Sequence, residues 1–282
     1  MTVQIRFYTD PACPWSWAGE PAIRRLMWEF EGEIEFAWVM GGLGRSYESA
    51  NLLQIVSQWL IDAAAGGMPN DPRIWTENPL DSTYPACQAV KAAEEQGWEA
   101  SYRYLRRLRE GIMFERRKLD NAEVLKEEAG PAGLDRKRFE IDLYSEAITE
   151  AFAADLDEVR SPPQEARDAG AIHRSSKGRE RISFPSALFI GGDGSRHGAW
   201  GNDSVDAEKM RAAALAAGAK QVNEGALEPL DAVRRFGRCA TRELEVLADR
   251  PRPVIEAELW SLARDWKLKP VAALTGTIWE PA

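Results

Sequence analysis

Val3-Gln4-Ile5-Arg6-Phe7-Tyr8 runs through Thr9 into Asp10-Pro11-Ala12-Cys13-Pro14-Trp15-Ser16, and this stretch decides the fold. Residues 3–8 alternate and are rich in strand-forming side chains, so they read as a β-strand. Asp10 to Pro14 is a turn. A helix is expected over about residues 15–30, with Ile23, Leu26, Met27 and Phe30 at helical spacing. Pro14 suits the first helical position, where its missing N–H is not needed. Cys13 therefore falls at or beside the helix N-cap.

The rest of the chain orders itself around this unit. Residues 34–39 read as a second strand, ended by Met40-Gly41-Gly42-Leu43-Gly44. From about residue 47 to 160 the pattern is helical. Leu52, Ile55, Val56, Trp59 and Leu60 form one apolar stripe, and further helices are expected over 84–96, 99–114, 121–129 and 138–159. A polar stretch follows from Ser161-Pro162-Pro163 to about residue 181. Strands return at 186–190 and 196–200, joined by the hairpin turn Gly191-Gly192-Asp193-Gly194. Asn202 or Asp203 is expected to cap a helix over 205–217. Gly225 and Pro229 suggest a linker into a last piece with helices at 241–247 and 253–265 and a hairpin at 271–279. The predicted architecture is α/β: a thioredoxin-like domain from 1–46 and 183–222, an α-helical insertion at 47–182, and a small winged-helix-like module at 223–282.

Composition narrows the function. The 282 residues carry a net charge of -9, which repels phosphate backbones and argues against nucleic acid as the main partner. No apolar run is long enough for a membrane span, and the N-terminal segment lacks a secretory signal pattern. Three widely spaced cysteines form no disulfide framework. Reduced thiols in the cytoplasm are expected. Only two histidines, His173 and His197, are present, without metal spacing, so no metal site is expected.

Cys13 is the residue with chemistry. A thiolate at a helix N-terminus meets free N–H groups and the positive end of the helix dipole, which should lower its pKa. Ser16 could donate a hydrogen bond to it but cannot form a disulfide, so the motif alone cannot resolve a mixed disulfide. The plain alternative is a small buried cysteine at a strand–helix junction. Phe184-Pro185 precedes an apolar strand; a cis bond there would expose backbone to an extended substrate, and an ordinary trans proline is the alternative. Cys87 is either a distant second thiol or a core residue. Cys239 reads as core or partly exposed, with no partner in sequence.

Asp10-Pro11-x-Cys13-Pro14-Trp15-Ser16 together with Phe184-Pro185 resembles the DsbA-like branch of the thioredoxin superfamily. Residues 82–97, Ser-Thr-Tyr-Pro-Ala-Cys-x-Ala-Val-Lys-Ala-Ala-Glu-x-Gln-Gly, resemble the first insertion helix of FrnE-like dithiol-disulfide isomerases and YjbH-like adaptor proteins. The resemblance covers roughly residues 3–222, and the C-terminal piece also looks similar to the tail of the YjbH-like group. It implies that Cys13 is the nucleophile, that Pro185 takes the cis-proline position, and that Pro14, Trp15 and Phe184 flank the substrate. Ser16 stands where two-cysteine members carry their second thiol, which leaves monothiol exchange or isomerisation of a protein or small-molecule disulfide. No cofactor is obligatory on this reading, and glutathione is a candidate resolving thiol. Two further functions compete. One is a glutathione-dependent isomerase resembling 2-hydroxychromene-2-carboxylate isomerases, which usually carry Ser at the position of Cys13. The other is a non-enzymatic adaptor or redox sensor that binds a protein partner, with the C-terminal module contributing.

Overall fold

The computed structural model describes residues 2–175 and 178–282. Strands β1 (Val3–Thr9) and β2 (Ile34–Met40) pair in parallel, with Val3 opposite Ile34 and Phe7 opposite Trp38. Between them lie α1 (Pro14–Ala18) and α2 (Glu20–Glu29). The single helix expected over 15–30 is thus two. The break falls at Gly19, whose amide bonds back to the Ser16 carbonyl at 3.2 Å.

The segment after β2 is helical: α3 (Leu52–Gly66), α4 (Ile74–Glu77), α5 (Tyr84–Glu94), α6 (Trp98–Arg109) running into a π-helical turn at Glu110–Phe114, α7 (Ala122–Ala129), α8 (Arg136–Leu143) and α9 (Glu146–Arg160). The helix expected over 138–159 is divided because Ser145 caps a new helix, its hydroxyl accepting the Ile148 amide at 3.3 Å. The stretch read as polar and irregular contains α10 (Gln164–Asp168) and a hairpin of β3 (Ile172–Arg174) and β4 (Glu180–Ile182); its Ser176 and Lys177 lie outside the described residues. Strands β5 (Ser186–Ile190) and β6 (Arg196–Ala199) then complete a four-stranded sheet of order β2-β1-β5-β6, so both ends of the helical segment are anchored in one sheet. Helix α11 (Ala207–Ala216) follows, capped by Asp206 rather than Asn202 or Asp203, which instead sit in a 3-10 turn. This is a thioredoxin-like fold with a helical insertion.

The C-terminal segment holds α12 (Pro229–Phe236), β7 (Cys239–Ala240), α13 (Thr241–Ala248), α14 (Arg252–Arg264), β8 (Leu268–Ala272) and β9 (Thr277–Pro281), with sheet order β7-β9-β8. Pro229 occupies the start of α12, where proline is well tolerated.

Alternation in β1 sets two faces. Val3, Ile5 and Phe7 join the large core with Phe36 and Trp38, whose rings stack at 4.8 Å. Arg6 and Tyr8 point to the other face, where both bond Glu158 of α9.

A buried charge cluster joins α2, the insertion and the C-terminal segment. Arg106 of α6 bonds Glu20 at 3.2 Å, Glu110 at 2.7 Å and Glu243 at 2.7 Å. Arg109 also pairs with Glu20, and Arg24 with Glu243 at 3.1 Å. Burial pushes the Glu20 carboxyl up, but Arg109, Arg106 and Arg24 together hold it below its ordinary range. Removing one partner leaves carboxylates buried without compensation. Arg106→Met is therefore expected to lower unfolding free energy by about 3–5 kcal/mol, read by urea denaturation. A loss under about 1 kcal/mol, the scale of surface pairs, would contradict a structural role for this cluster.

Candidate functional site

The turn between β1 and α1 is built by Asp10. Its carboxylate accepts the Ala12 amide at 2.9 Å, and its carbonyl accepts the Cys13 amide at 3.2 Å. Its second carboxylate oxygen accepts the Leu43 amide at 2.6 Å, the Thr83 hydroxyl at 2.9 Å and the Cys87 thiol at 3.4 Å. Asp10 is fully buried, and burial pushes its carboxyl above the ordinary range despite these donors. One side chain thus ties the turn, the loop after β2 and the start of α5 together.

Cys13 is the N-cap of α1, and Pro14 follows at the first turn. Its sulfur accepts the Ser16 amide at 3.4 Å. The predicted depression of its pKa does not occur. Burial raises the thiol above its ordinary value; the Ser16 hydroxyl and amide and the Arg181 guanidinium pull it down, and Asp10 pushes it up. The five residues of α1 supply few aligned peptide dipoles, so desolvation wins. Cys13 retains 6% exposure, whereas Cys87 and Cys239 have none. Among the described residues all three thiols are free.

The other predicted residues divide into two groups. Pro14 and Trp15 lie partly exposed beside Cys13, with the Trp15 indole donating to Asn202 at 2.9 Å. The Ser16 hydroxyl is buried without a hydrogen-bond partner of good geometry, although it is close enough to favour the Cys13 thiolate. Phe184 packs in one apolar cluster with Cys13, Tyr8, Val39 and Trp200. The Phe184–Pro185 bond is cis. The Phe184 ring crosses Gly41 so closely that a Cβ there would lie 1.8 Å from it, which explains the glycine. Cys87 is not disulfide-bonded to Cys13; it donates to Asp10, and burial and that carboxylate hold its pKa well above normal. Cys239 lies in the C-terminal core, 3.1 Å from Arg24, with its pKa pushed up by burial to about 12.

In the sequence Asp10 is a turn residue within the resembling motif, and nothing there signals Arg181 or Tyr47. Arg181 stacks on Phe184 at 4.2 Å and acts electrostatically on Cys13, Asp10 and Tyr47. Spacing cannot reveal these, because they reach the turn from a loop and a hairpin distant in sequence. No group of three or more metal-ligating side chains occurs among the described residues, and no helix there is long and apolar enough to cross a membrane.

The ClpXP adapter protein SpxH of Halalkalibacterium halodurans is 31% identical over 162 residues, 55% of this chain and 53% of that protein. SpxH of Bacillus subtilis is 29% identical over 157 residues, 55% of this chain and 52% of that protein. The chain spans about half the length of the curated relatives it matches. A putative protein disulfide isomerase from Nitrosomonas europaea superposes with a TM-score of 0.60 at 18% identity, covering 77% of this chain and 97% of that one. The cytosolic disulfide reductase DsbM from Pseudomonas aeruginosa gives 0.55 at 19% identity, covering 74% and 95%. At these identities the structural likeness speaks for the fold. A family profile described as Thioredoxin matches residues 7–160, more than half of the 282 residues, and the chain belongs to that family.

Proposed function

We propose that this protein carries out monothiol disulfide exchange at Cys13. The observation that carries the reading is a single thiol at a helix N-cap, in contact with the Ser16 amide and with partly exposed Pro14 and Trp15 beside it. The Cys13 thiolate attacks one sulfur of a substrate disulfide, forming a mixed disulfide and releasing the other sulfur as a thiolate, which takes up the proton Cys13 lost. Ser16 cannot resolve this intermediate. An external thiolate, for which glutathione is the candidate, attacks the mixed disulfide, restores Cys13 and leaves with the substrate sulfur. Phe184 and Pro185 are read as flanking the substrate. No resident cofactor is needed. A cytoplasmic setting is supported by three free thiols, since oxidising compartments favour disulfides.

A protein-binding role is the second reading. It is favoured by curated relatives that are adapter proteins and by a thiol whose burial keeps it protonated at neutral pH. Here partner capture, with the C-terminal segment contributing, replaces turnover.

Two measurements separate these readings. Because the Cys13 pKa is raised, its protonated form dominates through neutral pH. Alkylation by iodoacetamide, followed by mass spectrometry, is expected to be slow at neutral pH and to rise only above the ordinary thiol value of about 8.5. A rate already at its plateau below that value would contradict the burial argument. Reduction of a glutathionylated peptide should show the same alkaline rise. It should fall on the order of a thousandfold or more in Cys13→Ser and persist in Cys239→Ser. Equal turnover by Cys13→Ser and the parent would remove the exchange reading and leave the adaptor.

A further inference from the structure

We infer that the cleft beside the Cys13 turn binds an extended acidic peptide segment. The cleft has a volume of about 640 Å³ and lies between the loop after β2, the end of α9 and the β3–β4 hairpin. Gly41 and Gly42 form its inner wall, and Arg45, Arg160, Arg179 and Arg181 line it.

The charge balance is the first argument. The chain is acidic overall, at -9, and pairs most of its arginines. Among the described residues, these four have no carboxylate within ion-pair distance. Arg160 donates only to the Tyr84 hydroxyl at 3.1 Å, and Arg181 only to the Ile182 carbonyl at 2.8 Å. Glu180 is the one acidic residue lining the cleft, and it is already bonded to Arg167 and Arg174. Four guanidiniums facing one cavity without counter-charge repel each other, and a bound polyanion relieves that.

The shape argument selects an extended peptide. Arg179 and Arg181 are two residues apart on one side of the hairpin, with Glu180 turned toward Arg167 and Arg174. Alternate side chains on an extended chain repeat at about 7 Å, so carboxylates at alternate positions of a bound segment suit two arginines that are themselves two residues apart. Among the described residues strand β4 pairs with β3 alone. Arg45 and Arg160 come from other elements and meet further carboxylates. A small thiol carrying two carboxylates and an ammonium group would leave part of this charge unmatched.

The cleft adjoins the thiol. Arg181 borders it, stacks on Phe184 and acts on Cys13. Leu43, also on the wall, bonds Asp10 and packs with the Cys13 cluster. That the segment presents a disulfide to Cys13 rests on the exchange reading; its binding does not.

The test uses the full chain carrying Cys13→Ser, so that exchange does not interfere. A fluorescent peptide of roughly ten residues with Glu at alternate positions is titrated and followed by anisotropy, beside its Gln counterpart. The Glu peptide is expected to bind at least about tenfold more tightly than the Gln peptide, and to weaken as salt rises from about 50 to 500 mM. Arg45→Gln with Arg179→Gln, both exposed, should weaken the Glu peptide by about tenfold or more. Equal affinity for both peptides, or no effect of the double substitution, would overturn the proposal. So would binding of oxidised glutathione in the cleft with no peptide preference, which would make this a small-thiol subsite. Peptide binding together with no turnover by the Cys13 protein would remove the exchange reading alone.

Discussion

Arg106 holds three carboxylates that have all been taken out of water, and the positions of the major parts follow from that. Glu20 lies in α2, Glu110 in the π-helical turn after α6, and Glu243 in α13. A buried carboxylate without a cation would shift its pKa or unfold its surroundings, so each element must stay where its oxygen meets the guanidinium. The Arg106 plane also lies 4.4 Å over the Trp17 ring of α1. Because α1 and α2 are separated only by Gly19, fixing Glu20 and Trp17 fixes the helix that Cys13 caps. Planarity and a five-donor fork make arginine suited to this node in a way lysine is not.

Much of the frame was legible in the sequence because it rests on local rules. Residues 3–8 and 34–39 read as strands and are β1 and β2, and Gly191-Gly192-Asp193-Gly194 marks the hairpin that closes the sheet; that β1 and β2 pair in parallel is a finding of the structure. Pro14 and the apolar spacing after it put Cys13 at or beside the N-cap, and it is the N-cap. What failed was decided by side chains that override periodicity. Apolar spacing runs through Gly19 and Ser145, yet a carbonyl–amide return and a hydroxyl cap divide those helices. The predicted pKa of Cys13 failed for a similar reason. The N-cap donors are local and readable, whereas the solvent exclusion that outweighs them comes from Phe184, Trp200 and Val159, which no spacing rule brings to the turn.

Asp10 sets the balance at the site. Its hydrogen bonds to Leu43, Thr83 and Cys87 close the turn against two other segments beside the apolar cluster that buries Cys13. The same carboxylate adds a negative charge beside the thiol and pushes its pKa further up. Arg181 opposes this from the other side, and it also borders the basic cleft. A cation shared between a thiolate and a bound carboxylate cannot serve both in full. Binding of an acidic segment at Arg181 therefore works against ionisation of Cys13, and by linkage a thiolate at Cys13 weakens the hold on that segment. A protonated Cys13 and an occupied cleft favour each other. Under the two proposals above, an acidic segment in the cleft and a thiolate at Cys13 would draw on the same guanidinium, so exchange would proceed at the pace of the ionised fraction left to Cys13.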